Sequence, residues 1–354
     1  MPAVDQPPGS AGTVSLAILP QGGYGSDAGG LICGYLFSAD GVGCVLELEQ
    51  AVQWLNGTLP HGAGEFIWLH FNLSNTLAEK WMRSELPLSD AFYDALSDGS
   101  RSTRIENAED SLVAVINDVA YEFSFEPSEI STLWLTVRPD MLVSARSRPL
   151  RSIDRLRQSV RQGVRFVSPT ALLIHLMHDQ GDVLVQIVRR ATLQVDAIED
   201  SLLAGSLRHK RADLGRLRRV FVRLQRLLAP EPAALFRLLQ APPGWVAAED
   251  LADMRQATEE FSLVIRDLSA LQERIRLLQE ELAAQVGEST SRSLFVLTVV
   301  TVLALPINIL AGLMGMNVGG IPMAEDPHGF ATVALVVCAI AALLGWLAMR
   351  RMKD

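Results

Sequence analysis

The sequence predicts an α+β or α/β N-terminal domain, a long α-helical stalk and two C-terminal transmembrane helices. Three observations carry this reading. Short β-rich runs alternate with helical ones over residues 1–165, and a strict heptad seam runs from Phe261 to Leu282. Two long stretches without charge then close the chain.

In the first region GLICGYLF, EFIWLHFNL, SLVAVINDVAY and LWLTVRP read as strands, bounded by Gly, Pro, Asn and Asp clusters. Between them NTLAEKWMRSE and LSDAFYDALSDG read as short helices, and RSIDRLRQSVRQG as a basic amphipathic helix leading out of the domain. The net charge of −9 is uneven: residues 1–165 hold 20 acidic and 12 basic side chains, whereas residues 166–292 hold 17 and 16. An acidic N-terminal domain argues against nucleic acid as a partner and suits the gathering of cations. Cys33, Cys44 and Cys338 show no paired metal spacing and read as ordinary thiols of a reducing compartment.

The stalk, residues 166–292, opens at Ser168-Pro169-Thr170, a capping residue followed by proline in the first turn. Helical periodicity runs to about Gly205, resumes near Ala212, and is interrupted by Pro230, Pro232 and the APPGW stretch. Phe261, Val264, Leu268, Leu271, Ile275, Leu278 and Leu282 then follow at spacings of 3, 4, 3, 4, 3 and 4, an a/d seam. No proline occurs between Ala247 and Leu305, so the seam runs on into the first apolar stretch. A helix from about Ala247 to Met314 would be about 100 Å long, too long for one compact domain.

From Ser293 to Met316 come 24 residues without a charge, and from Gly329 to Met349 another 21. Each is long enough to cross a hydrocarbon core of about 30 Å as a helix. Two buried helices of a soluble core would show a polar face, and neither run does. Residues 293–316 and 329–349 therefore read as transmembrane helices, joined by an outer loop at 317–328 and followed by a basic tail at 350–354. Arg292, Arg350, Arg351 and Lys353 flank the pair, while the loop NVGGIPMAEDPH has no Lys or Arg but carries Glu325 and Asp326, so both termini are expected in the cytoplasm. The start MPAVDQPPGSAG has neither the basic segment nor the apolar stretch of a signal peptide.

One hairpin cannot enclose a pore, so it is an anchor or a share of a larger assembly. Ser291, Leu294, Thr298, Thr301, Leu305, Asn308 and Gly312 form one helical stripe holding nearly every polar side chain of the first run. Polar groups in hydrocarbon are costly unless they face protein or water, and this favours a pore lining. The competing account is that Thr298 and Thr301 bond back to their own helix. Asn308 does so less readily, and Pro306 beside it frees the carbonyl of Val302. At the outer end Gly315 and Gly319-Gly320 let the chain leave the helix, and Pro322 prevents re-entry. Asn317 is thereby expected at the mouth, where its carboxamide could bond the water shell of a cation.

Gly315-Met316-Asn317 at the end of the first of two C-terminal spans, with Pro306 within the helix, resembles the CorA superfamily of divalent metal ion transporters. The continuation Asn317-Val-Gly-Gly-Ile-Pro322, and more weakly Trp68-Leu69-His70-Phe71-Asn72, is similar to its bacterial ZntB branch. The resemblance implies a homopentameric funnel in the bacterial inner membrane, a pore lined by the first span and selected at Gly315, Met316 and Asn317, and no cofactor. The branch implies zinc as the transported ion, taken up with the help of a proton gradient. Export, or a CorA-type channel for magnesium, cobalt or nickel, are the alternatives, and cadmium is a further candidate ion. The loop MAEDPHG is more acidic than the glycine-rich continuation expected of that branch.

The residues themselves do not single out zinc, which prefers imidazole and thiolate; the stripe offers only hydroxyl and amide oxygens, as for an ion passing largely hydrated. Neither span contains Asp, Glu, His, Lys or Arg, so proton effects fall to the mouths. There Glu325, Asp326 and His328 are expected to attract cations, with a solvated polar loop as the bland alternative. His175 and His178, with Asp179 and Asp182 nearby on one helix, are a candidate internal metal site, although helical histidines are more often structural. No GxSxG, GxxxxGK[ST] or HExxH motif points to an enzyme. A coiled-coil scaffold would explain the stalk but not the polar stripe.

Overall fold

The computed structural model describes residues 25–99, 102–108, 110–203, 210–316 and 327–351. The chain divides into two compact units, Met1–Ala197 with Ala212–Glu273, and Ile198–Arg211 with Arg274–Asp354.

The first unit is built on a seven-stranded sheet. Its strands are β1 (Leu31–Phe37), β2 (Gly43–Val45), β3 (Phe66–Asn72), β4 (Arg104–Ala108), β5 (Ser111–Val119), β6 (Ile130–Val137) and β7 (Met141–Arg146). The spatial order is β2-β1-β3-β7-β6-β5-β4, antiparallel throughout except for the parallel β3–β7 pair. All four runs read as strands from the sequence are strands. The reading passed over β2, β4 and β7, and β7 is central. Its six residues are all buried, so it lacks the inside–outside alternation that marks a strand, and only a short turn separates it from β6.

Side-chain alternation along β3 divides the core between the two faces of the sheet. Ile67, Leu69 and Phe71 point to helices α1 (Leu48–Leu55), α2 (Thr76–Glu85) and α3 (Asp90–Ser97), meeting Trp54, Ala78, Met82 and Phe92. Phe66 and Trp68 point the other way. That face packs on α4 (Arg151–Arg161), the first half of α5 (Pro169–Leu203), α7 (Pro230–Gln240) and the start of α8 (Ala248–Met314), through Leu156, Leu173, Leu235 and Met254. Gly30 permits the close approach of α2: its φ is 90°, and a Cβ there would lie 2.5 Å from that of Ala78.

The helix starts follow local chemistry. Asn75 caps α2 by accepting from the Leu77 amide at 3.0 Å. Ser168 caps α5 by accepting from the Ala171 amide at 2.9 Å, as its sequence context predicts, and donates to Asp250 Oδ2 at 2.7 Å. The Gln225 side chain of α6 (Lys210–Leu228) donates to Ser269 Oγ of α8 at 3.0 Å.

α8 is one unbroken helix of 67 residues, with Pro306 inside it. All seven seam residues, Phe261 to Leu282, are buried. In the second unit Glu199 of α5 pairs with Arg274 of α8, and Ile198, Leu202, Ile275, Leu278 and Leu282 are among its buried residues. Beyond Arg292 the burial stops: Leu294, Leu297, Val300, Leu305 and Leu313 are all more than half exposed in the single chain. An 18-residue window of α8 has mean hydropathy 2.5 and none of it is buried. The last helix, α9 (Gly329–Arg351), is apolar from Gly329 to Leu343.

Candidate functional site

The apolar end of α8 carries every described residue of the polar stripe: Ser291, Leu294, Thr298, Thr301, Leu305, Asn308 and Gly312. Helical spacing puts them on one side because i, i+3, i+4 and i+7 lie above one another. Thr298 Oγ1 donates to the Leu294 carbonyl at 2.8 Å, and Thr301 Oγ1 to the Leu297 carbonyl at 2.9 Å. The hydroxyl protons are thus engaged by their own helix, which leaves the oxygen lone pairs turned outward as acceptors. Such a surface has the chemistry to accept hydrogen bonds from water. Nothing stands within 4 Å of where a Cβ on Gly312 would be.

The helix ends at Met314. The Gly315 amide still reaches the Ala311 carbonyl at 3.0 Å, and the Met316 amide the Leu313 carbonyl at 3.4 Å. Gly315 and Met316 therefore form the last turn out of the first apolar run, and Met316 is half exposed. Asn317, Glu325 and Asp326 lie outside the described residues. His328 sits just before α9, its carbonyl accepting from the Thr332 amide and hydroxyl, both at 3.1 Å.

The four residues read as an internal metal site are arranged otherwise. Arg155 lies between the two acids, 3.9 Å from Asp179 Oδ1 and 3.8 Å from Asp182 Oδ2, so a guanidinium already supplies the positive charge. His175 Nε2 meets Ser159 Oγ at 3.1 Å and Asp179 Oδ2 at 3.6 Å, while His178 turns to Glu260 at 3.3 Å. Burial, and then His178, hold the His175 pKa down, whereas burial pushes Asp179 up to about 6. Among the described residues no group of three or more His, Cys, Asp or Glu is placed to hold a metal. The histidines serve to fasten α5 to α4 and α8.

The sequence reading missed a buried polar network in the first unit. Asp118, on β5, accepts from its own neighbour Val119 at 2.7 Å and from the Ser152 amide at the start of α4 at 3.0 Å. Gln180 of α5 donates to the Asn117 carbonyl and to Glu231 of α7. Burial raises Asp118 to about 6 and Glu231 to about 8. Asp118 had a signal, a charge within an otherwise uncharged strand. Glu231, between two prolines at a helix start, had none.

The family model for the CorA-like Mg2+ transporter protein matches residues 63–351. The chain belongs to the CorA family. This match takes in strands β3 to β7, the long helix and both apolar runs. Among curated CorA-type relatives, the divalent cation transporter CmaX of Pseudomonas aeruginosa is 27% identical over 329 residues, 92% of this chain and 97% of its own length. The zinc transport protein ZntB of Yersinia enterocolitica is 22% identical over 279 residues, 79% of this chain and 85% of its own. The structure of full-length CmaX superposes with TM-score 0.76 at 26% identity, covering 93% of this chain and 99% of that one. The CorA magnesium transporter of Methanocaldococcus jannaschii gives 0.71 at 18% identity, covering 89% and 96%, and shows the shared fold. The CorA resemblance read from Gly315-Met316-Asn317 is upheld over most of the chain. The relatives' names include both a general divalent cation transporter and a zinc transporter.

Proposed function

We propose that this CorA-family chain carries divalent metal cations across the bacterial inner membrane, with zinc as its principal cargo. α8 from about Ser293 and α9 cross the bilayer, both termini lie in the cytoplasm, and several copies, as a homopentamer, close a path around the α8 stripe. Cations enter the cytoplasm largely hydrated, with an inward proton gradient aiding uptake.

The observation that carries this reading is the composition of the apolar end of α8. Its hydroxyls and the Asn308 carboxamide share one side of a helix whose other sides are apolar and exposed. Lipid would tax such groups, whereas a wet path shared by several copies would use them. Gly315, Met316 and Asn317 then form the outer selective ring, and Glu325, Asp326 and His328 draw cations to it. With no Asp, Glu, His, Lys or Arg in either span, the proton effect acts through pore water or these mouth residues.

Magnesium, cobalt or nickel conduction is the second reading, favoured by the oxygen-only donors of the stripe. The deciding experiment is zinc and magnesium flux into proteoliposomes, each with and without an inward proton gradient, for the parent chain and Asn308→Leu. Zinc flux that rises with the gradient and falls at least tenfold in Asn308→Leu is the expected result. Magnesium flux indifferent to pH transfers the assignment to the second reading. Flux that ignores Asn308→Leu removes the stripe from the path.

A further inference from the structure

Three strands and one helix gather a basic cluster inside the first unit. Cys33 of β1 pairs in register with His70 of β3, and His70 with Ser144 of β7, so their side chains share one face of the sheet. Arg146, two residues beyond Ser144, is on that face as well and is buried. α4 covers the face through Ile153, Leu156 and Val160, and its Arg157 hydrogen-bonds the Cys33 sulfur. Arg157 Nη1 also lies 3.5 Å from Asp154 Oδ1 on its own helix. Arg161, exposed one turn on, bonds the Tyr35 hydroxyl. Burial pushes the Cys33 thiol up to about 11, against the charges of Arg157, Arg161 and Arg146, so the potential around it is positive.

The proton on His70 can be placed from its neighbours. Trp68 Nε1, which can only donate, bonds Ser144 Oγ at 2.9 Å. The Ser144 proton then has His70 Nδ1 at 2.9 Å, against the Leu69 carbonyl at 3.5 Å. Burial, and then the charges of Arg146 and Arg157, hold the His70 pKa well below its ordinary value, so the ring is neutral. With Nδ1 accepting, the ring hydrogen sits on Nε2. His70 is wholly buried, and its Nε2 has no hydrogen-bond partner among the described residues. The buried Nε of Arg157 has none either. Two N–H donors thus stand without an acceptor in a positive potential. A fold seldom leaves a buried donor in that state, because its lost hydration is not repaid.

We propose that this cluster is a binding site for the phosphate dianion, free or at the end of a phosphate monoester, which takes hydrogen bonds from His70 Nε2 and Arg157 Nε and so ties α4 to β3. A tetrahedral oxyanion presents oxygens on several sides, so it can accept from an imidazole and a guanidinium at once. The positive potential of Arg146, Arg157 and Arg161 favours two negative charges over one, since Coulomb energy scales with charge. Cys33 is only partly buried and Arg161 is exposed, so the cluster reaches solvent along that edge. Asp154 competes with the anion for the Arg157 guanidinium.

The test is equilibrium dialysis of the full chain in detergent against labelled inorganic phosphate, with sodium chloride and adenosine monophosphate as competitors. One saturable phosphate per chain is expected, with a thermal midpoint that rises as phosphate is added. Arg157→Lys keeps the charge but lacks the Nε donor, and is expected to weaken binding at least tenfold. Asp154→Asn releases the Arg157 guanidinium and is expected to tighten binding several-fold; Asp154 is only partly buried, so this variant serves even if Arg157→Lys does not fold. Gln158→Ala, exposed on the same helix, is expected to bind as the parent does. Competition by adenosine monophosphate equal to that of phosphate assigns the site to monoester ends, and its exclusion assigns the site to free phosphate; both uphold it. Absence of saturable phosphate binding shows that the two donors hold only water, and overturns the proposal. Affinity indifferent to both Arg157→Lys and Asp154→Asn overturns it too, as does displacement of phosphate by equimolar chloride.

Discussion

Gln180 Nε2 donates to Glu231 Oε2 at 3.1 Å, and the same nitrogen donates to the Asn117 carbonyl at 2.7 Å. One amide thus ties α5 to α7 and to the sheet, with both side chains almost wholly buried. Burial, offset in part by this hydrogen bond, raises Glu231 to about 8, and the nearby Asp118 pushes in the same direction. At neutral pH the network holds a proton that the unfolded chain does not.

The sign of the resulting pH dependence follows. A carboxyl with a raised folded pKa costs nothing below its unfolded pKa near 4.5, where both states are protonated. Stability falls as pH rises from there towards 8, because only the unfolded state ionises freely. Asp118, raised to about 6, adds to the fall at the acid end of the window. Glu231→Gln should flatten most of this slope and stabilise the protein above pH 8 by on the order of a few kcal/mol. Denaturant midpoints in detergent at pH 5 and pH 8.5 for parent and variant check it; equal slopes in the two proteins would refute it.

Ser168→Ala should weaken the start of α5. It deletes the acceptor for the Ala171 amide and the donor to Asp250, and a lost cap costs about 1 kcal/mol. Ser168→Thr, which keeps both bonds, should restore most of the loss. Thermal midpoints of the three proteins provide the comparison.

Leu268→Ala opens the seam at a fully buried position. The expected loss is about 2–5 kcal/mol. The same change at exposed Leu263 should leave monomer stability within about 0.5 kcal/mol. Chemical denaturation under conditions that keep the chain monomeric separates the two.

Thr298→Val keeps the shape of the side chain but removes the hydroxyl that bonds the Leu294 carbonyl. Oligomer size in detergent should be unchanged while cation flux drops about three- to tenfold, since an acceptor facing the water shell has gone. Unaltered flux would show that the hydroxyl serves only its own helix.

Replacing Glu325, Asp326 and His328 together with Gln, Asn and Gln should depress uptake at low external zinc and leave it unchanged at saturating zinc. Local concentration by charge acts on the apparent affinity and is screened by salt. Initial rates across a zinc series at two ionic strengths measure this.

Much of this protein is written locally. Membrane length, the positions of the seam residues and the Ser168 cap are short-range properties, because a helix closes its hydrogen bonds within four residues and repeats its faces every seven. The sequence by itself therefore determined the two apolar runs, the long helix between Ala248 and Met314, the polar stripe and the turn at Gly315. Tertiary structure decided what depends on distant partners. β7 became central only by pairing with β3 on one side and β6 on the other, and a strand buried on both faces carries no alternation to announce it. Arg155 came to stand between Asp179 and Asp182 from a different helix, a contact that the spacing within α5 does not announce. Asp118 and Glu231, 113 positions apart, owe their raised pKa values to a shared dry interior, since desolvation is a property of the packed fold and not of any segment.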